Sequence, residues 1–351
     1  MKILILVFLF FIYRNTNGYN FDFKLTHFVD NSEYFGPFKQ GKTLAGIKLI
    51  PKINLKVENF DCAIGLFYFQ YWREPFQKDN LNLLLKTSYS INNFEFVFGN
   101  YEYNHHFLPI VFDIKKEKYN PIGLQLYFNN HVYIEEFSLN WIQKINKIKH
   151  IPEKILFNMY GKLPIYKFNN ISIKFIHDLS LLHYGGQKID FKSYNIFFGN
   201  IGPQFIYNIN KDNVLKLKSY YVFDKYGKSN HKEIFKYGYG MYNQFTLTNK
   251  KNNLIIRLSH WLCNKFNVND IGNDLYCSFY KYSRYLLSKY KKLLKQANKI
   301  FPKRNLLFFK IEYFFEYNTF CFNIFFEPYY DLGLNIIEHR EGLYFSIDIK
   351  G

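Results

Sequence analysis

Phe21-Asp22-Phe23-Lys24-Leu25-Thr26-His27-Phe28-Val29 is the stretch that decides the fold. Phe21, Phe23, Leu25 and Val29 fall on one side of an extended chain, and Asp22, Lys24 and Thr26 on the other, because successive strand side chains point to opposite faces. The same period of two returns at the far end, where Leu343, Phe345, Ile347 and Ile349 alternate with Tyr344, Ser346, Asp348 and Lys350. Near the start, Thr43, Ala45, Ile47, Leu49, Ile53, Leu55 and Val57 share a face opposite Lys48, Lys52, Asn54 and Lys56. One face needs water and the other an apolar neighbour, which is the requirement of a transmembrane β-barrel wall. Pro51 interrupts this strand and is expected at a bulge or a strand end.

Ahead of the first strand, Lys2 precedes an unbroken apolar run from Ile3 to Tyr13, followed by Arg14 and the polar Thr16-Asn17-Gly18. Residues 1–18 read as a signal peptide, and the run is shorter than the roughly 20 residues a spanning helix needs. Residues 19–351 then form a single barrel domain. The chain carries 46 basic and 28 acidic residues, a net charge of +18; without Lys2 and Arg14 the balance is 44 against 28, or +16. Such charge can mark a nucleic-acid binder. An exported chain seldom meets nucleic acid, however, and the lysines belong to a composition rich in Lys, Asn, Ile, Phe and Tyr, as an AT-rich genome encodes. The expected partners are the lipid bilayer and an anionic lipopolysaccharide or phospholipid surface. The 22% aromatic content suits the girdles that barrels set at both membrane interfaces.

Sixteen strands are expected, with fourteen to eighteen compatible with the spacing. After the strands at 21–29 and 43–57, they are 60–71, 81–91, 94–103, 121–128, 132–142 and 154–161. The second half adds 170–182, 194–209, 214–223, 235–248, 253–264, 305–317, 319–330 and 341–350. Short polar turns at Asn92-Asn93, Asn129-Asn130, Lys211-Asp212 and Lys250-Lys251-Asn252 alternate with longer segments at 31–39, 104–120, 183–192 and 224–233. Short periplasmic turns and longer external loops alternate in this way in outer-membrane barrels. Asp274 to Tyr280 can be read as a further strand, but it would make the count odd. Residues 264–304 are therefore expected to form one long, basic, partly helical external loop. Its later part sets Leu286, Leu287, Leu293, Leu294 and Ala297 among Lys289, Lys291, Lys292, Lys295 and Lys299 at helical spacing.

Chemistry-bearing constellations are sparse. Cys62, Cys263, Cys277 and Cys321 lack CxxC spacing, which supports neither a zinc site nor a redox motif. A disulfide between Cys263 and Cys277 and four separate thiols are both open readings. His105-His106 is a pair where a metal needs three or four ligands. His177-Asp178 near Ser180 has hydrolase residue types, but in a strand His177 cannot share a face with Asp178 or Ser180. Gly238 and Gly240 fit a curved wall better than a phosphate-cradling loop. No catalytic residue, metal ligand or cofactor is assigned. The lumen-facing candidates are Lys24, Lys48, Lys52, Lys56, Gln125, Lys216 and Lys350, which would favour anions inside a pore.

The segments Glu33-Tyr34-Phe35-Gly36-Pro37-Phe38-Lys39-Gln40-Gly41-Lys42-Thr43-Leu44-Ala45-Gly46, Gly123-Leu124-Gln125 and His183-Tyr184-Gly185-Gly186-Gln187 resemble uncharacterised outer-membrane β-barrel proteins of Bacteroidetes-type bacteria. The resemblance implies a host-associated, AT-rich member of that group and brings no catalytic residues. The expected function is a channel in the outer membrane of a Gram-negative bacterium, giving passive passage to small hydrophilic and especially anionic solutes. The alternatives are a non-conducting structural or binding barrel at the cell surface and, third, an outer-membrane hydrolase.

Overall fold

The computed structural model describes residues 19–34, 41–72, 81–101, 108, 121–130, 132–143, 153–185, 193–227, 236–268, 274–278 and 303–350. Sixteen strands follow one another in sequence. They are β1 (Tyr19–Glu33), β2 (Lys42–Val57), β3 (Phe60–Tyr71), β4 (Leu81–Ile91), β5 (Phe94–Asn100), β6 (Ile122–Asn129), β7 (Ile134–Gln143) and β8 (Glu153–Phe168). The circuit continues with β9 (Ile171–Gly185), β10 (Tyr194–Asn208), β11 (Asn213–Tyr226), β12 (Tyr237–Asn249), β13 (Leu254–Asn264), β14 (Lys303–Tyr317), β15 (Phe320–Asp331) and β16 (Ile336–Lys350). Each pairs antiparallel with its sequence neighbours, and β1 closes on β16 through a register running from Asp22↔Lys350 to Glu33↔His339. Closure leaves no free sheet edge.

The wall obeys the alternation read from the sequence. Ile64, Leu83, Phe96, Phe98, Leu124 and Ile165 are exposed on the outside, an apolar surface that lipid would cover. Exposed aromatics ring both ends, with Phe60, Tyr89, Phe94, Phe168, Phe315 and Tyr317 near the short turns and Trp72, Trp141, Tyr237 and Tyr239 toward the long connections. The tightest turns rest on asparagine: Asn92, Asn169 and Asn318 all take positive φ, a conformation in which asparagine is enriched. Among the described residues no helix is long and apolar enough to cross a membrane; this chain crosses with strands.

Several strand ends differ from the expected ones. β8 runs on through Pro164 to Phe168 and turns at Asn169-Asn170, since a register irregularity between Pro164 and Tyr166 absorbs the missing N–H. β5 stops at Asn100 instead of 103, while β9 and β11 rise beyond 182 and 223 into segments expected to be loops. β16 starts at Ile336 instead of 341, so only residues 332–335 join it to β15, an exception to the alternation of loop length. Pro51 needs neither a bulge nor a strand end: the β2–β3 register is the same on both sides of it. Asp274–Tyr276 forms a single 3-10 turn. His105-His106 and the basic stretch 282–300 lie outside the described residues.

Candidate functional site

The inner wall divides into two chemically distinct halves. At the short-turn end of β1 to β6 and β16, inward side chains enclose a cavity of about 600 Å³. Lys24, Lys52, Lys56, Gln125 and Lys350 line it together, joined by Lys86 and by Asp22, Asp61, Glu95 and Asp348. The charges are locally neutralised: Lys52 Nζ stands 3.3 Å from Asp22, to which Asn54 donates at 2.7 Å, and Lys86 stands 3.6 Å from Glu95. Two other candidates are elsewhere. Lys48 lies over the Phe67 ring at 5.1 Å, and Lys216 belongs to a separate cluster on β8 to β13.

The other half of the interior, toward the long connections of β8 to β15, is apolar. Leu156, Leu182, Ile196, Phe198, Val222, Trp261, Leu306 and Phe308 are buried there around a strand-to-strand segment that turns into the barrel. Phe266, Val268, Leu275, Tyr276 and Cys277 of that segment are buried. Trp261 packs edge-on against Phe266 with ring centroids 5.2 Å apart and donates its indole N–H to the Tyr276 carbonyl at 3.0 Å. Arg304 donates to the Cys277 carbonyl at 3.2 Å and pairs with Asp331 at 2.8 Å, both side chains almost fully buried. Gly238 and Gly240 leave the room: a Cβ on Gly240 would meet the Trp261 ring at 2.5 Å, and one on Gly238 the backbone of Lys265 and Phe266. All four cysteines are free thiols, with Cys263 Sγ 3.4 Å from the Ser278 hydroxyl.

Between the halves lies a second inner cavity, of about 260 Å³, lined by Leu108 from the β5–β6 connection and by wall residues of β6 to β11. Buried Glu136 and Asp178 flank Tyr160 on one side of it, and Lys162 and Lys218 contribute on the other. Lys174, Lys216 and Arg257 are within electrostatic reach of those lysines, forming a basic cluster toward the short-turn end. Neither cavity was legible as a unit in the sequence, although each charged lining residue falls on the inward face of its strand.

One polar cluster sits on the outside. His177 faces outward and pairs with Glu135 at 3.1 Å across Gly161, while Asp178 and Ser180 face inward and are buried, as alternation requires. Tyr133 donates to Glu135, and burial followed by that bond pushes its hydroxyl pKa up to about 12. A Cβ on Gly161 would meet the His177 ring at 2.1 Å, so glycine is what lets the imidazole cover the carboxylate. Sequence reading missed this pair because its partners are 42 residues apart and meet only through the register of β7, β8 and β9. Further along the outer wall, Ser219 donates to Asn243 at 2.7 Å and His260 bonds Asn305 at 2.8 Å.

A family model described as lipid A 3'-O-deacylase-type matches residues 13–350. No curated protein matches the chain. Among solved structures, OmpT, an outer-membrane protein of Vibrio cholerae, aligns with a TM-score of 0.53 at 8% identity, over 96% of this chain and 99% of that one. OccK8 (OprE) of Pseudomonas aeruginosa aligns with a TM-score of 0.52 at 12% identity, over 95% and 98%. The outer-membrane protein OprD of the same organism gives 0.51 at 9% identity, over 95% and 94%. These likenesses are of fold: the molecule has the closed sixteen-stranded architecture of outer-membrane β-barrels.

Proposed function

The chain belongs to the lipid A 3'-O-deacylase-type family; from the interior of the barrel we propose that it acts in the outer membrane of a Gram-negative bacterium as a channel for small hydrophilic solutes, with a bias toward anions. The observation that carries the reading is the 600 Å³ cavity lined by five lysines and four carboxylates, an interior that only water and polar solutes would fill. The anion bias is assigned to the basic cluster of Lys162, Lys174, Lys216 and Lys218, beside which Arg257 is paired with Glu312, since the lysines of the large cavity stand among nearly as many acids. Reversal potentials under a KCl gradient test it. Anion preference that falls when Lys216 and Lys218 are changed to glutamine supports the assignment, and cation preference in the parent protein overturns it.

The His177–Glu135 pair and the family description favour a second reading, ester hydrolysis on a lipid at the outer wall. A carboxylate-oriented imidazole is suited to taking a proton from water as it attacks an acyl ester, with the proton passed to the leaving alcohol. Fatty acid released from lipid A in mixed micelles, and lost in His177→Gln, would establish it; no release would remove it. For the stretch 282–300 we propose a position outside the cell against lipopolysaccharide. Protease added to intact cells would then cut between Lys289 and Lys303, exposed loops being preferred sites of nicking; protection there would overturn that placement.

A further inference from the structure

We infer that the lysine cluster of β8, β9 and β11 binds the divalent phosphoryl group of small phosphorylated solutes, inorganic phosphate included, an inference that rests on the channel reading and names its substrate class. The register brings the cluster together. Lys174 of β9, Gln204 of β10 and Lys218 of β11 are direct neighbours in one inward row. Lys162 belongs to the next inward row toward the long connections, opposite Ile176, and Lys216 to the next one toward the short turns, opposite Ile206. Adjacent strands are about 4.8 Å apart and inward positions on one strand recur about every 6.6 Å, so flexible lysine side chains from three strands can meet on one group.

The charges around this cluster are one-sided. Lys174 and Lys216 act on Lys162; Lys216, Arg257 and Lys162 act on Lys218; and Arg257, Lys250 and Lys174 act on Lys216. Among the described residues none of the four lysines has an ion-pair partner, whereas on the neighbouring strands Arg257 and Lys310 share Glu312, Lys310 at 3.2 Å. Glu136 and Asp178, on the far side of the 260 Å³ cavity, are buried and already engaged. The Lys162 and Lys174 ammonium groups come within hydrogen-bonding reach of each other. An ammonium has only donors, so that contact is repulsive until an acceptor enters. A phosphoryl group brings several acceptor oxygens and two negative charges, and can take N–H bonds from both lysines and from Lys218 at once. Chloride or a monocarboxylate neutralises one ammonium and leaves the others facing each other. The site is reachable: all four lysines are part-exposed, and Lys162, Gln204 and Lys218 line the cavity. Its volume is below the about 300–1,000 Å³ of pockets for drug-sized ligands, which limits the solute to a few carbons beside its phosphoryl group.

Calorimetry on the folded barrel in detergent micelles tests the site, with inorganic phosphate and glycerol phosphate as probes and acetate as the monovalent control. The buffer is held at about pH 8, well above the second pKa of about 6 of a phosphate ester. Conductance and reversal potentials in KCl are recorded on the same preparation. Both phosphates are expected to bind at least about tenfold more tightly than acetate, the gain of one added hydrogen bond between charged groups. Lys174→Gln and Lys218→Gln should each remove that preference, Lys174→Arg should retain it, and Lys225→Gln, on the outward face of β11, should leave it unchanged. Phosphate should also raise the unfolding temperature of the parent protein and not that of Lys174→Gln, which separates binding from a general salt effect. Each variant is checked for the folded, heat-modifiable gel band, and Lys162→Gln replaces either glutamine variant that does not fold. Equal binding of phosphate and acetate, no binding, or phosphate binding that survives both glutamine changes overturns the site. Anion-selective conductance without phosphate binding strikes out the site and keeps the channel, whereas phosphate binding without conductance strikes out the channel and keeps a phosphate-binding barrel.

Discussion

The wet and dry halves of this barrel's interior are built from the same alternating strands, yet they end in opposite chemistry. Around Lys24, Lys52, Lys56 and Lys350 the inward positions are charged and enclose a cavity. Around Trp261, Phe266 and Leu306 the inward positions are apolar, because residues 266–268 and 274–278, between β13 and β14, are buried there and give them something to pack against. The contrast shows that polarity inside a barrel is set by what fills it. A strand open to water must carry polar groups, and a strand facing a folded-in segment becomes an ordinary core.

The contrast predicts unequal sensitivity to loss of charge. Arg304→Met would leave Asp331 buried and unpaired, and should destabilise the folded barrel by about 3–5 kcal/mol in urea titrations. A cost near that of a surface pair would mean that water reaches the dry half. Outside, depth should matter more than side: Leu49→Arg, at mid-strand on the lipid face of β2, should cost about 2–4 kcal/mol, whereas Leu55→Arg, two residues before the turn, should cost about 0–1 kcal/mol. Equal costs would show that the apolar belt is misplaced along the strand. The smallest effect is expected at Lys52→Met, whose ion pair with Asp22 is part-exposed and worth about 0–1 kcal/mol; a large loss there would mean that the wet half is as tightly packed as the dry one.

The period of two disclosed the sixteen strands, since each strand has to satisfy lipid on one side wherever it pairs; it gave no sign that Lys24, Lys52, Lys56, Gln125 and Lys350 line one cavity. Strand ends were less legible. Pro164 looks like a terminator in sequence, but a local irregularity carries β8 past it, and the Ile336 end of β16 carries Glu338, His339, Arg340 and Glu341 where alternation is hard to see. The in-turned segment was misleading in sequence, since Asp274 to Tyr280 can be read as a strand. The burial of Leu275, Tyr276 and Cys277 has no sequence signal, and the missing Cβ of Gly238 leaves room for the backbone of Lys265 and Phe266 at the start of the segment. The His177–Glu135 pair is invisible for a related reason, as it exists only in the register.

The direct test of a water-filled path along the wet half is single-channel recording of the purified, folded barrel in planar bilayers. Discrete conductance steps in KCl are expected, reduced when Lys24 and Lys56 are both replaced by tryptophan to fill the 600 Å³ cavity and unchanged when Trp261 is replaced by phenylalanine in the dry half. A folded barrel that inserts but passes no current, or one whose current responds to Trp261 and ignores the two lysines, would contradict the account.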